Sequence, residues 1–408
     1  MPDITDLRRS LLEIYAAALR AVRGRRVVRD YLRRNPVAGP LEMVALGKAA
    51  ASMARGALDV LGEQIARALV ITKYGHCDPE LPLECLQAGH PLPDENSLLA
   101  GERLLKFIGS AARDRELLFL ISGGSSALVE VPAPGVMLPD LRRLNRWLLG
   151  SGLDIHAMNS VRMQISRIKG GRLAGFLEGR RALNLMISDV PGDDPAIIGS
   201  GLLVPGRRPT HPPPQLPGWI QELCNRARPA PVPDASSFRG VSSALVATNR
   251  QALDAALEEG RARGFAVHSR QEFFQGDALR LGARFARRLL EGPPGLYLWG
   301  GESSVLLPSS PRRGGRCQSL ALAAARVVEG RDGICFLAAG SDGSDGPGGD
   351  AGALVDGGTI ARGREEGLDP VEALRRADAG SFLEASGDLV RTGPTGTNVM
   401  DLVMALKS

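Results

Sequence analysis

The residues of this chain that could carry chemistry are gathered in glycine-rich loops. Ser122-Gly123-Gly124-Ser125-Ser126 follows the apolar run Leu117-Leu118-Phe119-Leu120-Ile121. Successive backbone N–H groups in such a loop can cradle an anion, and its hydroxyls add donors and acceptors. Gly47-Lys48-Ala49-Ala50 puts an ammonium at the first turn of an expected helix. Helix end and charge would both favour a phosphate there, although the pattern GxxxxGK[ST] is absent. Lysine is scarce: of 50 basic residues only five are lysine, namely Lys48, Lys73, Lys106, Lys169 and Lys407. Lys48 and Lys169, which stand beside glycine, therefore suit a compact point charge for phosphate. A plain surface lysine is the alternative reading of each.

Carboxylates recur in the same kind of place. Ser188-Asp189-Val190-Pro191-Gly192-Asp193-Asp194 holds three aspartates close together, which suits magnesium or proton abstraction from a hydroxyl, or else a solvated turn. Gly340-Ser341-Asp342-Gly343-Ser344-Asp345-Gly346 repeats the theme. It is no EF-hand, because the closing glutamate and flanking helices are missing. Asp189, Asp193, Asp342 and Asp345 are thus the candidate metal ligands. Glu302, in Gly300-Gly301-Glu302, is a further acid. Gly314-Gly315-Arg316 offers a cation, and Gly393-Pro394-Thr395-Gly396-Thr397-Asn398 offers hydroxyls and an amide through Thr397 and Asn398. Covalent serine catalysis is disfavoured, since G-x-S-x-G is absent and no histidine has a context that nominates it as base.

These loops need strands and helices to position them. Apolar runs at 41–46, 68–72, 117–121, 183–188, 244–247, 265–268 and 333–338 read as strands. Helical patterns fall at 4–34 (one or two helices), 48–61, 94–113, 139–150, 160–179, 219–226, 250–263, 276–290 and 319–329, with Asp94 and Asn249 as N-caps. Residues 296–299 and 305–307 read as a hairpin around Glu302. Strands alternating with helices imply an α/β chain with a mostly parallel sheet and a ligand site at the strands' carboxyl edge. Prolines crowd 204–235, among them Pro205, Pro209, Pro212, Pro213, Pro214, Pro217, Pro229, Pro231 and Pro233. This marks a boundary between domains 1–235 and 236–408.

Composition narrows the function classes. With 408 residues, two domains are expected, and 44% hydrophobic with 23% charged residues is ordinary for a soluble globular chain. No run of eighteen apolar residues predicts a membrane span, and the N-terminus does not read as a secretory signal. The charge of +5 is small, and 4% aromatic residues leave few platforms for bases, so nucleic-acid binding is disfavoured. Five cysteines, Cys77, Cys85, Cys224, Cys317 and Cys335, contain no CxxC pair. They fit reduced thiols in a cytoplasm better than a disulfide framework or zinc site.

Together these motifs resemble the glycerate 2-kinases with a MOFRL C-terminal domain, a family also named for hydroxypyruvate reduction. The resemblance rests on Gly47-Lys48-Ala49-Ala50, Gly89-His90-Pro91-Leu92-Pro93-Asp94 and Ser122-Gly123-Gly124-Ser125-Ser126-Ala127. It continues through Asn159-Ser160-Val161-Arg162, Ser166-Arg167-Ile168-Lys169-Gly170-Gly171-Arg172, Ser188–Asp194, Gly300–Glu302, Gly314–Arg316, Gly340–Gly346 and Thr395-Gly396-Thr397-Asn398-Val399. It implies a Rossmann-like N-terminal domain, a smaller α/β MOFRL-type C-terminal domain, and an active site in the cleft between them. It further implies transfer of phosphate from ATP, with Mg2+, to the C2 hydroxyl of D-glycerate. Lys48 and Arg316 match the cations usually held essential, and Asp189 is read as catalytic, acting through magnesium or as base toward the C2 hydroxyl. Ser122, Gly123, Gly124, Ser125, Ser126, Asn159, Lys169, Glu302, Thr397 and Asn398 are the expected substrate- and phosphate-binding residues. The chain departs from the family at 200–208, at Ser125 and at Gln164, which bears on substrate detail. The expected protein is a cytoplasmic monomer or homodimer with small-molecule partners only. Reduction of hydroxypyruvate with NAD(P)H and a non-catalytic sugar-acid or nucleotide sensor are the alternatives.

Overall fold

The computed structural model describes residues 3–206, 215–228, 231–269 and 273–408. Pro209, Pro212, Pro213, Pro214 and Pro229, singled out above, and residues 207 and 208 of the departing segment 200–208 lie outside the described residues. The chain divides into two compact units, Arg23–Ala247 and Met1–Val22 with Thr248–Ser408.

The first unit is built on strands β1 (Leu41–Leu46), β2 (Ile65–Lys73), β3 (Glu84–Ala88), β4 (Glu116–Ile121), β5 (Ala182–Ile187) and β6 (Val241–Ala247). They form one sheet in the order β3-β2-β1-β4-β5-β6, with every pairing parallel. This is the doubly wound order, whose ligands bind at the strands' carboxyl ends where the order reverses. Here that point lies between β1 and β4, and the loops after them begin at Gly47 and Ser122. Buried apolar side chains such as Val44, Leu46, Ile71, Phe119 and Ile121 make the core beneath those loops. Parallel strands covered on both faces read as unbroken apolar runs, which is why the sequence betrays them.

The second unit holds β7 (Val267–Ser269), β8 (Phe274–Asp277), β9 (Gly295–Ser304), β10 (Ile334–Gly340), β11 (Gly352–Asp356), β12 (Leu389–Val390) and β13 (Asp401–Lys407). Their order is β12-β11-β10-β13-β9-β7, with β8 also on β9. Pairings from β12 through β9 are antiparallel, while β7 and β8 run parallel to β9. The helix Arg316–Val328 packs its small face, including Ala321, Ala324 and Ala325, into this unit's core.

Several expectations change. The boundary falls after Ala247 rather than at 235/236, because β6 completes the first sheet against β5. The N-terminal helix Ile4–Ala21 belongs with the second unit: Arg8 pairs with Asp356 and Asp388, and the Tyr15 hydroxyl donates to the Gly340 carbonyl at 3.0 Å. There is no hairpin at Glu302, since Gly295–Ser304 is one continuous strand held along its length by β13 and β8. The helix expected over 160–179 is two, Ile155–Gln164 and Arg172–Gly175, separated by residues 165–171, where Ser166 bridges to Pro132. Thr248 caps the helix Asn249–Ala262, and Asn249 instead donates to the Val399 and Asp401 carbonyls at 2.7 and 3.1 Å. Cys77 and Cys85 form a disulfide, against the expectation of reduced thiols. The parallel pairing of β2 with β3 brings the turn carrying Cys77 back to Cys85. Cys224, Cys317 and Cys335 are free.

Candidate functional site

In the first unit, two loops are stitched together at the sheet edge. Gly47 takes φ +112°, and a Cβ there would stand 2.3 Å from the Ser122 carbonyl oxygen. Only glycine lets β1 turn this sharply against the end of β4. The Lys48 N–H then donates to the Gly123 carbonyl at 2.9 Å, and the Ala49 N–H to Ser122 Oγ at 3.0 Å. Ser122 Oγ in turn donates to the Leu46 carbonyl at 3.2 Å, so this hydroxyl is a fastener between loops rather than a ligand group. A Cβ on Gly124 would lie 3.1 Å from both Lys48 Cγ and His90 Cδ2. The half-buried Lys48 side chain therefore lies over the serine–glycine loop, beside His90. His90 sits in a motif of the sequence, yet nothing in residue type or spacing had assigned it a place.

The remaining serines point elsewhere. Ser125 is buried, and its Oγ has no hydrogen-bond partner among the described residues. Ser126 Oγ lies 2.8 Å from Ser200 Oγ, which donates to Asn159 Oδ1 at 3.2 Å. Asn159 is thereby tied to the loop, and its amide also reaches the Ile197 carbonyl at 3.4 Å.

Lys169 is placed differently from a phosphate ligand. It is only 2% exposed and its ammonium is ion-paired with buried Glu130. Burial lowers the Lys169 pKa, against the pull of Glu130. Ser166 Oγ donates to Glu130 at 2.6 Å and the Val131 N–H at 3.0 Å, completing a buried structural pair. Glu130 was missed because nothing in its surroundings in sequence marks an acid destined for the core.

Asp189 follows β5 and is half-buried, with the Ser188 N–H bonded to the Ala247 carbonyl at 2.9 Å. Asp193 has φ +53°, and its Oδ1 is buried without a hydrogen-bond partner among the described residues. Asp194 is spent on its own turn, accepting from the Ala196 N–H at 3.0 Å.

The second unit gathers a charged cluster around Arg316, the first residue of the helix Arg316–Val328. Its guanidinium meets Asp401 through Nε and Nη2, each at 2.9 Å, and ion-pairs with Glu302 through Nη1. Burial alone would lower the Arg316 pKa, but Asp401 and Glu302 outweigh it and hold the group well above its ordinary value. The two-point grip fixes the plane of the guanidinium. Asp401 is 1% exposed and opens the apolar strand β13. A lone acid at the head of Leu402-Val403-Met404-Ala405-Leu406 was the one signal that could have found it.

Asp345 accepts from the Cys317 and Gln318 N–H groups at 3.0 and 2.8 Å, satisfying the free N-terminus of that helix. Burial, opposed by these N–H groups and aided by Asp401, raises its pKa to about 6. Asp342 accepts from the Ser344 N–H at 2.9 Å. Ser341 binds the neighbouring loop, accepting from the Val399 N–H at 2.7 Å through Oγ and from Thr395 Oγ1 at 2.5 Å through its carbonyl. Thr397 and Asn398 are buried in that loop, and Thr397 Oγ1 lacks a hydrogen-bond partner among the described residues.

Of the four aspartates expected to bind metal, Asp189 and Asp193 belong to the first unit and Asp342 and Asp345 to the second. Among the described residues no group of three or more His, Cys, Asp or Glu side chains is close enough to hold an ion. Asp345 does not fit, because both its oxygens are engaged by backbone N–H groups. Asp193 keeps a buried Oδ1 without a hydrogen-bond partner among the described residues, which is donor chemistry that a magnesium taking one or two carboxylates could use. No described helix is long and apolar enough to cross a membrane.

Residues 10–212 match the family model described as a domain of unknown function, DUF4147, and residues 295–401 match the MOFRL family. A D-glycerate 2-kinase of Thermotoga maritima is 34% identical across 100% of both chains. An Agrobacterium vitis protein with a hydroxypyruvate reductase name is 36% identical over 89% of this chain and 98% of its own. The crystal structure of a glycerate kinase from Thermotoga maritima superposes with a TM-score of 0.82 at 33% identity, covering 99% of this chain and 100% of that one. With its doubly wound sheet, its MOFRL segment and full-length similarity to these kinases, the chain belongs to the glycerate 2-kinase family.

Proposed function

We propose that this protein transfers the γ-phosphoryl group of ATP to the C2 hydroxyl of D-glycerate, giving 2-phospho-D-glycerate and ADP. The observation that carries this reading is the pair of positioned cations, Lys48 over the serine–glycine loop and Arg316 in its two-carboxylate grip. Phosphoryl transfer asks mainly for positioning and for neutralising charge on the moving group. Lys48 supplies a compact charge at a glycine turn. Arg316 presents a guanidinium whose orientation and protonation its acidic partners fix. Asp189 stands at the end of β5 to take the proton as the C2 oxygen bonds to phosphorus and the bond to the ADP oxygen breaks. Asp189 and Asp193 would hold Mg2+, which neutralises charge on the phosphates when bound. The floor of the phosphate site is the Gly123–Ser126 backbone, with Ser122 fastening it.

Arg316→Ala tests the reading. kcat with saturating D-glycerate and ATP should fall on the order of a thousandfold. Arg316→Lys keeps a charge but loses the two-point grip, and should also be severely slowed. Near-normal turnover in both variants would remove Arg316 from the reaction. Reduction of hydroxypyruvate gains no support from the loop after β1, which reads Gly47-Lys48-Ala49-Ala50 and lacks the G-x-G-x-x-G of a nicotinamide site.

A further inference from the structure

Arg162 is a half-buried guanidinium whose hydrogen bonds go only to neutral amides. Nε donates to Asn145 Oδ1 at 3.1 Å, and Nη1 to Asn159 Oδ1 at 3.3 Å. Asn145 is itself anchored, its amide donating to the Leu141 carbonyl at 2.9 Å. The side chain is thus held by two amides, with Nη2 bonded to no group among the described residues. Among the described residues no carboxylate stands within ion-pair distance of it. Other partly buried arginines of the chain, such as Arg55, Arg115 and Arg316, close on an aspartate or glutamate.

The nearest acid is already taken. Glu130 is neutralised by Lys169 in the buried pair described above. Burial lowers the Arg162 pKa, and Glu130 offsets this only at a distance. A desolvated guanidinium without a counter-ion is costly unless an anion arrives to complete it. Asn159, one of its two holders, connects through Ser200 to Ser126 of the serine–glycine loop. The uncompensated charge therefore belongs to the same hydrogen-bonded chain as the candidate site.

We infer that Arg162 is the carboxylate anchor of the substrate, a specificity-determining residue that selects a small 2-hydroxy acid over neutral polyols and amides. The inference rests on the proposed glycerate kinase reading. It divides the labour within the first unit: Lys48 and the serine–glycine backbone serve phosphate, while Arg162, held by Asn145 and Asn159, serves the acid group. Arginine rather than lysine suits this task, because its planar fork meets a carboxylate with two hydrogen bonds while its other edge stays pinned.

The test compares D-glycerate with D-glyceramide, which lacks the charge, in the unaltered protein and in Arg162→Gln and Arg162→Lys. The unaltered protein should strongly prefer the acid. Arg162→Gln should raise KM for D-glycerate about ten- to hundredfold, leaving KM for ATP within about twofold. The acid-over-amide ratio of kcat/KM should fall by the same factor, and Arg162→Lys should lie between. A general loss of structure would depress both substrates alike and leave that ratio unchanged, and an unchanged ratio in both variants overturns the inference. If neither variant folds, a crystal structure of the unaltered protein with D-glycerate decides: carboxylate on Arg162 supports it, carboxylate elsewhere overturns it. If the unaltered protein shows no D-glycerate-dependent ATP turnover, the kinase reading itself falls. Turnover without Arg162-dependent discrimination overturns the inference alone.

Discussion

Replacing Asp345 by asparagine should remove a pH dependence from the stability of the unit that carries it. The carboxyl is buried, and its pKa stands at about 6 against 3.8 for the free side chain. Burial is the main cause, with the Gln318 and Cys317 N–H groups pulling the other way and Asp401 adding repulsion. The folded pKa exceeds the unfolded one, so the folded chain holds this proton more tightly. Its contribution to stability therefore rises as pH falls from above 6 toward 3.8, and is level outside that window. Each tenfold in proton affinity is about 1.4 kcal/mol, so the full change is on the order of 3 kcal/mol. Asparagine can accept one of the two N–H groups but sets its own NH2 against the other, at a cost of about 1–3 kcal/mol. That cost is the same at every pH and does not enter the slope. Urea unfolding of both proteins at pH steps from about 4 to 8 measures the effect. The stability gap between wild type and Asp345→Asn should widen as pH drops, by up to about 3 kcal/mol. A gap that stays constant would refute the reasoning, because Asp345 would then titrate as though it were in water.

Three further outcomes follow from the same geometry. Lys48→Ala should leave the melting temperature nearly unchanged, since the side chain is half-exposed, while kcat falls about 10²–10³-fold in a steady-state assay. Gly47→Ala should destabilise the first unit by about 1–3 kcal/mol in chemical unfolding, because the new Cβ meets the Ser122 carbonyl at 2.3 Å with φ at +112°. Glu130→Gln should cost about 3–5 kcal/mol in the same measurement, since it leaves the Lys169 ammonium buried without its counter-charge.

The sequence was most readable where strand and glycine loop are neighbours in the chain. β1 with Gly47-Lys48, β4 with Ser122–Ser126 and β5 with Ser188–Asp194 could be placed because an unbroken apolar run ending in glycine or serine is a local signal. The second unit was harder. β11, β12 and β13 pass unnoticed because antiparallel partners far apart in the chain leave no joint signature, and Leu389–Val390 is only two residues long. The partnership of the N-terminal helix with Gly340, Asp356 and Asp388 spans hundreds of residues and is set wholly by tertiary packing. Among the candidate site residues, Lys48 and Arg316 stand out in the sequence as cations beside glycine. Asp401 and Glu130, which determine what Arg316 and Lys169 can do, were not. A carboxylate's role depends on the charge it faces, and neither partner is close in sequence.

The central claim is the position of the phosphate on the product. Purified protein incubated with D-glycerate, ATP and magnesium, with the product resolved by phosphorus NMR, tests it directly. The account predicts 2-phosphoglycerate formed in step with ADP. Formation of 3-phosphoglycerate, or consumption of NADH with hydroxypyruvate in place of any ATP-dependent product, would contradict it.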